Sequence, residues 1–131
     1  MSAIRNAEYA GQLIDYEGMT YGKCRPTDID QSIDFQGKTF VFTELKYGST
    51  PLTPGQKYHL QHLVKGLRRG GCVAYAVLCS HITPPSEQVV SRDASVIMYF
   101  DGNTWQRPDS DMTHHQFVQE VHDDHQQEKE R

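Results

Sequence analysis

The sequence predicts an α/β fold, a mixed central sheet flanked by helices, and three observations carry the prediction. Lys38 to Lys46 is rich in aromatic and β-branched residues, as a strand is. Residues 53–69 read as a helix with clear signals at both ends. Cys72 to Cys79 is a near-continuous apolar run, which fits a central strand covered on both faces. With 131 residues the chain has the length of one domain. We place that domain at residues 1–121 and a polar tail at 122–131.

Taken in order, Ala7, Ala10, Leu13 and Ile14 are spaced along one face of a short helix over residues 2–14. Gly18 and Gly22 end that regularity. Asp28 to Phe35 and Lys38 to Lys46 form two strands around Gln36-Gly37, followed by a loop from Tyr47 to Leu52. Thr53 suits a helix N-cap, Pro54 the first turn and Gln56 the capping-box position. Leu60, Leu63, Val64 and Leu67 make the apolar stripe. Arg68 and Arg69 complement the negative end of the helix, and Gly70-Gly71 stop it.

After the Cys72–Cys79 strand, His81 to Ser86 is a loop containing Pro84-Pro85. Ser95 to Phe100 is a strand, and Asp101-Gly102-Asn103 turns into Thr104-Trp105. Thr113 caps a last helix, with Gln116 at its capping-box position and Phe117, Val118 and Val121 as anchors. No apolar residue occurs after Val121, so the end is expected to be frayed or disordered. The paired histidines of this region, His114-His115 and His122 with His125, have no apolar backing and read as a solvated tail rather than a metal site.

A net charge of −4 argues against a basic protein that coats nucleic acid. Three cysteines without C-x-x-C spacing suggest neither a disulfide framework nor structural zinc, and fit a reducing cytoplasm. The eight-residue run Cys72–Cys79 is far short of the ~20 residues that span a bilayer. Residues 1–10 lack the apolar core of a signal peptide.

The chemistry concentrates in the first hairpin. Glu44 and Lys46 are two apart on a strand and point to the same face. A loop of Phe35-Gln36-Gly37 places Asp28 opposite Glu44, and a loop of Gln36-Gly37-Lys38 places Asp30 there. In both registers Asp28, Asp30, Glu44 and Lys46 share a face; a two-residue Gln36-Gly37 loop puts the aspartates on the other side. Carboxylates packed this closely repel unless a cation lies among them, and hard oxygen donors suit Mg²⁺ or Mn²⁺. A nearby ammonium adds what metal-assisted phosphodiester hydrolysis needs. A bare Glu-x-Lys is more often a solvated ion pair than a site; the hairpin aspartates, the apolar strand and the helix that follows are what raise it above that.

Asp30 (with Asp28), a spacer, then Glu44-x-Lys46 at a strand end, followed by Gln56 on the next helix, resembles the PD-(D/E)XK nuclease superfamily, in particular its small phage-type and Holliday-junction-resolvase-like members. The resemblance covers roughly residues 6–80. It implies a restriction-endonuclease-like αβββαβ core, here with a C-terminal strand pair and helix added. It further implies a Mg²⁺- or Mn²⁺-dependent DNA nuclease, with Asp30, Glu44, Lys46 and Gln56 catalytic and Asp30, Glu44 and Asp28 on the metal. An acidic residue from the first helix would join them, with Glu8 and Glu17 as candidates. Lys57, Lys65, Arg68 and Arg69 are the candidate DNA contacts, beside Lys23 and Arg25, and serve equally as the positive face of an ordinary helix. The small size suggests a homodimer, recognition of DNA structure, or a partner protein that supplies specificity. The competing reading is a non-catalytic binding or inhibitor-like protein on the same fold.

Overall fold

The computed structural model describes residues 14–130. It contains β1 (Gln31–Phe35), β2 (Thr39–Tyr47), α1 (Pro54–Arg69), β3 (Val73–His81), β4 (Ser95–Phe100), β5 (Trp105–Gln106) and α2 (His114–Glu130). The strands form one five-stranded sheet in the order β1-β2-β3-β4-β5. β2 and β3 run parallel, joined by α1 as the crossover, and every other neighbouring pair is antiparallel. The α/β class read from the sequence is therefore present. Among the described residues two strands, rather than the three of an αβββαβ core, precede α1. The helix expected over residues 2–14 lies outside the described residues, apart from Ile14, which is not helical.

Strand alternation divides the core in two. On one face Phe42, Ala74, Ala76 and Phe100 pack against Leu60 and Val64 of α1. On the other, Val41, Val77, Cys79 and Val96 pack against Phe117 and Val121 of α2. β3 thus contributes to both cores, which is why Cys72–Cys79 shows no alternation in sequence. Burial pushes the Cys79 thiol pKa up to about 12, so this cysteine acts as a small core hydrophobe. A bulge in β4 moves its pairing from Leu78↔Met98 to Cys79↔Val96. The inserted Ile97 lets Val96 and Phe100 serve opposite faces.

α1 starts as its sequence dictates. Thr53 Oγ1 accepts from the Gln56 amide at 3.1 Å, and Gln56 Oε1 accepts from the Thr53 amide at 3.1 Å. Thr113 and Gln116 repeat the same box at the start of α2, at 3.1 and 2.8 Å. At the β4–β5 turn Gly102 has φ +97°, and a Cβ there would lie 2.4 Å from Cδ of Arg68. The glycine thus meets both a conformational need and a close approach.

The polar end departs from expectation. α2 continues to Glu130, and His125 is buried at 8% exposure. Its Nδ1 lies 3.1 Å from Thr39 Oγ1 and its Nε2 3.1 Å from Gln36 Oε1, and its ring stacks on Phe35 with centroids 5.9 Å apart. His122 packs against the same phenyl ring at 5.3 Å. Histidine thus supplies the apolar contact that the sequence reading sought from aliphatic residues, and the boundary placed at residue 121 falls inside a continuous helix.

Candidate functional site

The hairpin turn decides the site. Gln36 and Gly37 both have positive φ, +60° and +68°, and the Lys38 amide donates to the Phe35 carbonyl at 3.1 Å. Lys38 is then the extra residue, and the ladder pairs Phe35↔Thr39 through Gln31↔Thr43. Continued by one step, this register sets Asp30 opposite Glu44. Of the registers open in the sequence, it is the one with a Gln36-Gly37-Lys38 loop.

Asp30 Oδ2 accepts the Leu45 amide at 2.8 Å, which fastens the segment before β1 onto β2. Alternation places Glu44 and Lys46 on the α1 face of the sheet, beside Leu78 and Ser80 of β3. Glu44 is only 3% exposed, whereas Asp30 is exposed and Lys46 half-buried. Burial pushes the Glu44 pKa up to about 7, with a hydrogen bond to the Asp30 carboxyl and the Asp30 charge adding to the rise; Lys46 opposes it. Near neutral pH the Glu44 carboxyl is therefore about half protonated. Two carboxyl groups side by side, with an ammonium near them, offer hard oxygen donors of the kind a divalent ion takes.

The remaining candidates are dispersed. Asp28 accepts a hydrogen bond from the Tyr16 hydroxyl and takes no part in the Asp30–Glu44 contact. Among the described residues no group of three or more His, Cys, Asp or Glu side chains is disposed to hold a metal. Glu8 lies outside the described residues, and Glu17 is exposed with its amide on Asp15 Oδ1 at 2.7 Å. The carbonyl end of Gln56 is used in the capping box.

The basic residues do not form one patch either. Lys57 and Arg68 are separated by about 16 Å along α1, at about 1.5 Å per residue. Arg68 Nε donates to the Ala74 carbonyl at 2.9 Å, and its guanidinium stacks 4.9 Å from the centre of the Tyr75 ring. Lys65 lies 5.9 Å from the Phe100 ring centre, and Arg69 is exposed at the helix end. Lys57, near the start of α1, lines a groove of about 430 Å³ with Leu52, Leu78, Ser80 and Met98. Because Leu78 and Ser80 pair with Glu44 and Lys46, this groove begins where the carboxylates end. It lies at the C-terminal ends of the two parallel strands, where α/β sheets commonly bind ligands.

On the other face, sequence reading missed a buried polar chain. The Ser91 hydroxyl donates to Gln31 Oε1 at 2.9 Å, so it accepts from Nδ1–H of His114, 3.0 Å away. His114 Nε2 then accepts from the Thr43 hydroxyl at 2.9 Å. The chain ties β1, β2, α2 and the short 3-10 turn at Ser91–Asp93 together around a neutral imidazole, whose pKa burial holds below the usual histidine value. A signal existed in the sequence: His114, Phe117, Val121 and His125 recur at helical spacing.

No helix among the described residues is long and apolar enough to cross a membrane. Comparison of the chain with family models, with curated proteins and with solved structures gave no match.

Proposed function

We propose that the chain is a metal-dependent nuclease that hydrolyses phosphodiester bonds of DNA, with its reaction centre at Asp30, Glu44 and Lys46. The observation that carries the reading is the Asp30–Glu44 contact, with Glu44 buried and its pKa raised to about 7, and Lys46 two residues along the strand. Asp30 and Glu44 would hold Mg²⁺ or Mn²⁺. Such an ion, when bound, supplies a lowered water pKa and polarisation of the phosphate.

The chain's own groups have separate tasks. Glu44, buried at the strand end, would fix the ion beside the attacking water. Asp30 is held in place by the Leu45 amide and keeps the pair negative. The Lys46 ammonium stabilises charge developing on phosphate oxygens. Gln56 reaches the substrate only through its amide nitrogen, since its carbonyl serves the cap. Lys57 is the basic residue best placed to meet a strand running past the carboxylates, because it lines the adjoining groove.

The reading is tested by incubating purified protein with Mg²⁺ or Mn²⁺ and linear, circular and branched DNA. Cleavage that disappears in Glu44→Gln and Lys46→Met supports it. A second reading, a binding protein without catalysis, is favoured by the net charge of −4 and the internal use of Arg68. DNA left intact by the folded protein in either metal would select it.

A further inference from the structure

On the α2 face, away from the carboxylates, a cavity of about 260 Å³ is lined by Tyr75, Tyr99 and Phe117, with Asp109, Glu120 and Asp124 among the residues around it. The three rings meet at steep angles rather than stacking. Tyr75 and Phe117 meet at 89°, Tyr75 and Tyr99 at 66°, and Tyr99 and Phe117 at 52°, with centroids 5.2–6.4 Å apart. Phe117 is buried, and the tyrosines are half-buried. Helical spacing puts Phe117, Glu120, Val121 and Asp124 on one stripe of α2, so the same helix supplies one ring and two of the carboxylates.

Neither Asp109, Glu120 nor Asp124 forms an ion pair among the described residues. Burial raises the Tyr99 hydroxyl pKa, and the charges of Asp109, Asp101 and Glu120 add to the rise, as they do where the field is negative. Arg68, which does not line the cavity, already places a guanidinium over the Tyr75 ring.

We infer that this cavity binds an alkylated ammonium group, its methyl groups against the half-buried Tyr75 and Tyr99 rings and its charge compensated by the surrounding carboxylates. Aromatic walls attract a cation through the negative faces of the rings, and a quaternary ammonium loses less hydration on entry than a primary one. A cavity this small admits a head group and the start of its stem rather than a whole drug-sized ligand. Three carboxylates with no cation among them disfavour a zwitterionic head group, so the ligand carries no adjacent anion. The inference is independent of any nuclease activity.

The test is an NMR titration of the full chain with choline, with its uncharged isostere 3,3-dimethylbutan-1-ol, and with phosphocholine, following the ring protons of Tyr75, Tyr99 and Phe117. Choline is expected to shift both tyrosine rings and to bind at least tenfold more tightly than the neutral alcohol, with phosphocholine weaker than choline. Asp109→Asn combined with Glu120→Gln, both at exposed positions, should weaken choline several-fold and leave the alcohol unchanged. Tyr99→Phe keeps the ring and should keep choline binding. Equal affinity for choline and the alcohol, phosphocholine binding as tightly as choline, or no shift of the rings at millimolar choline would each overturn the inference.

Discussion

Asp30 and Glu44 face each other across the first hairpin, one exposed and anchored to the Leu45 amide, the other buried with its pKa raised to about 7. Glu44 is the costlier of the two to ionise, because burial and a neighbouring carboxylate both oppose its charge. That cost has measurable consequences.

Between the ordinary Glu value of 4.5 and about 7, the native state holds a proton that the unfolded chain has lost. Stability from this group therefore falls as pH rises through that window. In the Glu44→Gln variant the new side-chain amide donates to Asp30 at every pH. The variant should match wild type near pH 4.5 and exceed it by about 1–3 kcal/mol at pH 8, as urea melts at the two pH values would show.

His114 acts in the opposite sense. Its folded pKa lies below the ordinary histidine value of 6.5, so its contribution is complete above that pH and shrinks as pH falls towards the folded value. His114→Gln should flatten this acid-side loss. It should also cost about 1–3 kcal/mol at pH 8, because the Thr43 and Ser91 hydroxyls lose their shared partner. Chemical denaturation from pH 5 to 8 separates the two effects.

The C-terminal turn of α2 should matter although its sequence is wholly polar. His125→Ala removes two hydrogen bonds and a ring stacked on Phe35. A loss of about 1–3 kcal/mol is expected in thermal melts. His122→Ala should cost less, since His122 is half-buried and its contact with Asp123 is exposed.

These histidines mark where the sequence was hardest to read. The caps of both helices were legible because Thr53-Gln56 and Thr113-Gln116 are local patterns whose hydrogen bonds close within one turn. The strand order around α1 followed from the apolar run of β3 and a crossover of helical length. The hairpin register did not follow, because Gln36-Gly37 permits loops of different length. The answer lay in Gln36 taking positive φ, which a non-glycine residue does only where context holds it. The uses of His114 and His125 depend on partners 71 and 86 residues away in the chain, Thr43 and Thr39, which no local pattern reveals. For the candidate site, proximity of Glu44 to Lys46 could be read directly, whereas the choice of Asp30 over Asp28 needed the register.

Metal binding separates the roles of the site residues. Mn²⁺ at about 100 times its dissociation constant should stabilise wild type by about 2.7 kcal/mol. Glu44→Gln should abolish most of that gain. Lys46→Met should keep or enlarge it, since a neighbouring positive charge is gone, and still lose cleavage. Thermal melts over a Mn²⁺ series provide the comparison.

The most direct measurement is the conversion of supercoiled circular DNA to nicked or linear product by wild type, Glu44→Gln and Lys46→Met in Mg²⁺ and in Mn²⁺. The account predicts product from wild type, none after chelation, and a loss of at least 100-fold, about 2.7 kcal/mol in barrier, in each variant. Intact DNA in every lane, or cleavage by both variants at the wild-type rate, would contradict it.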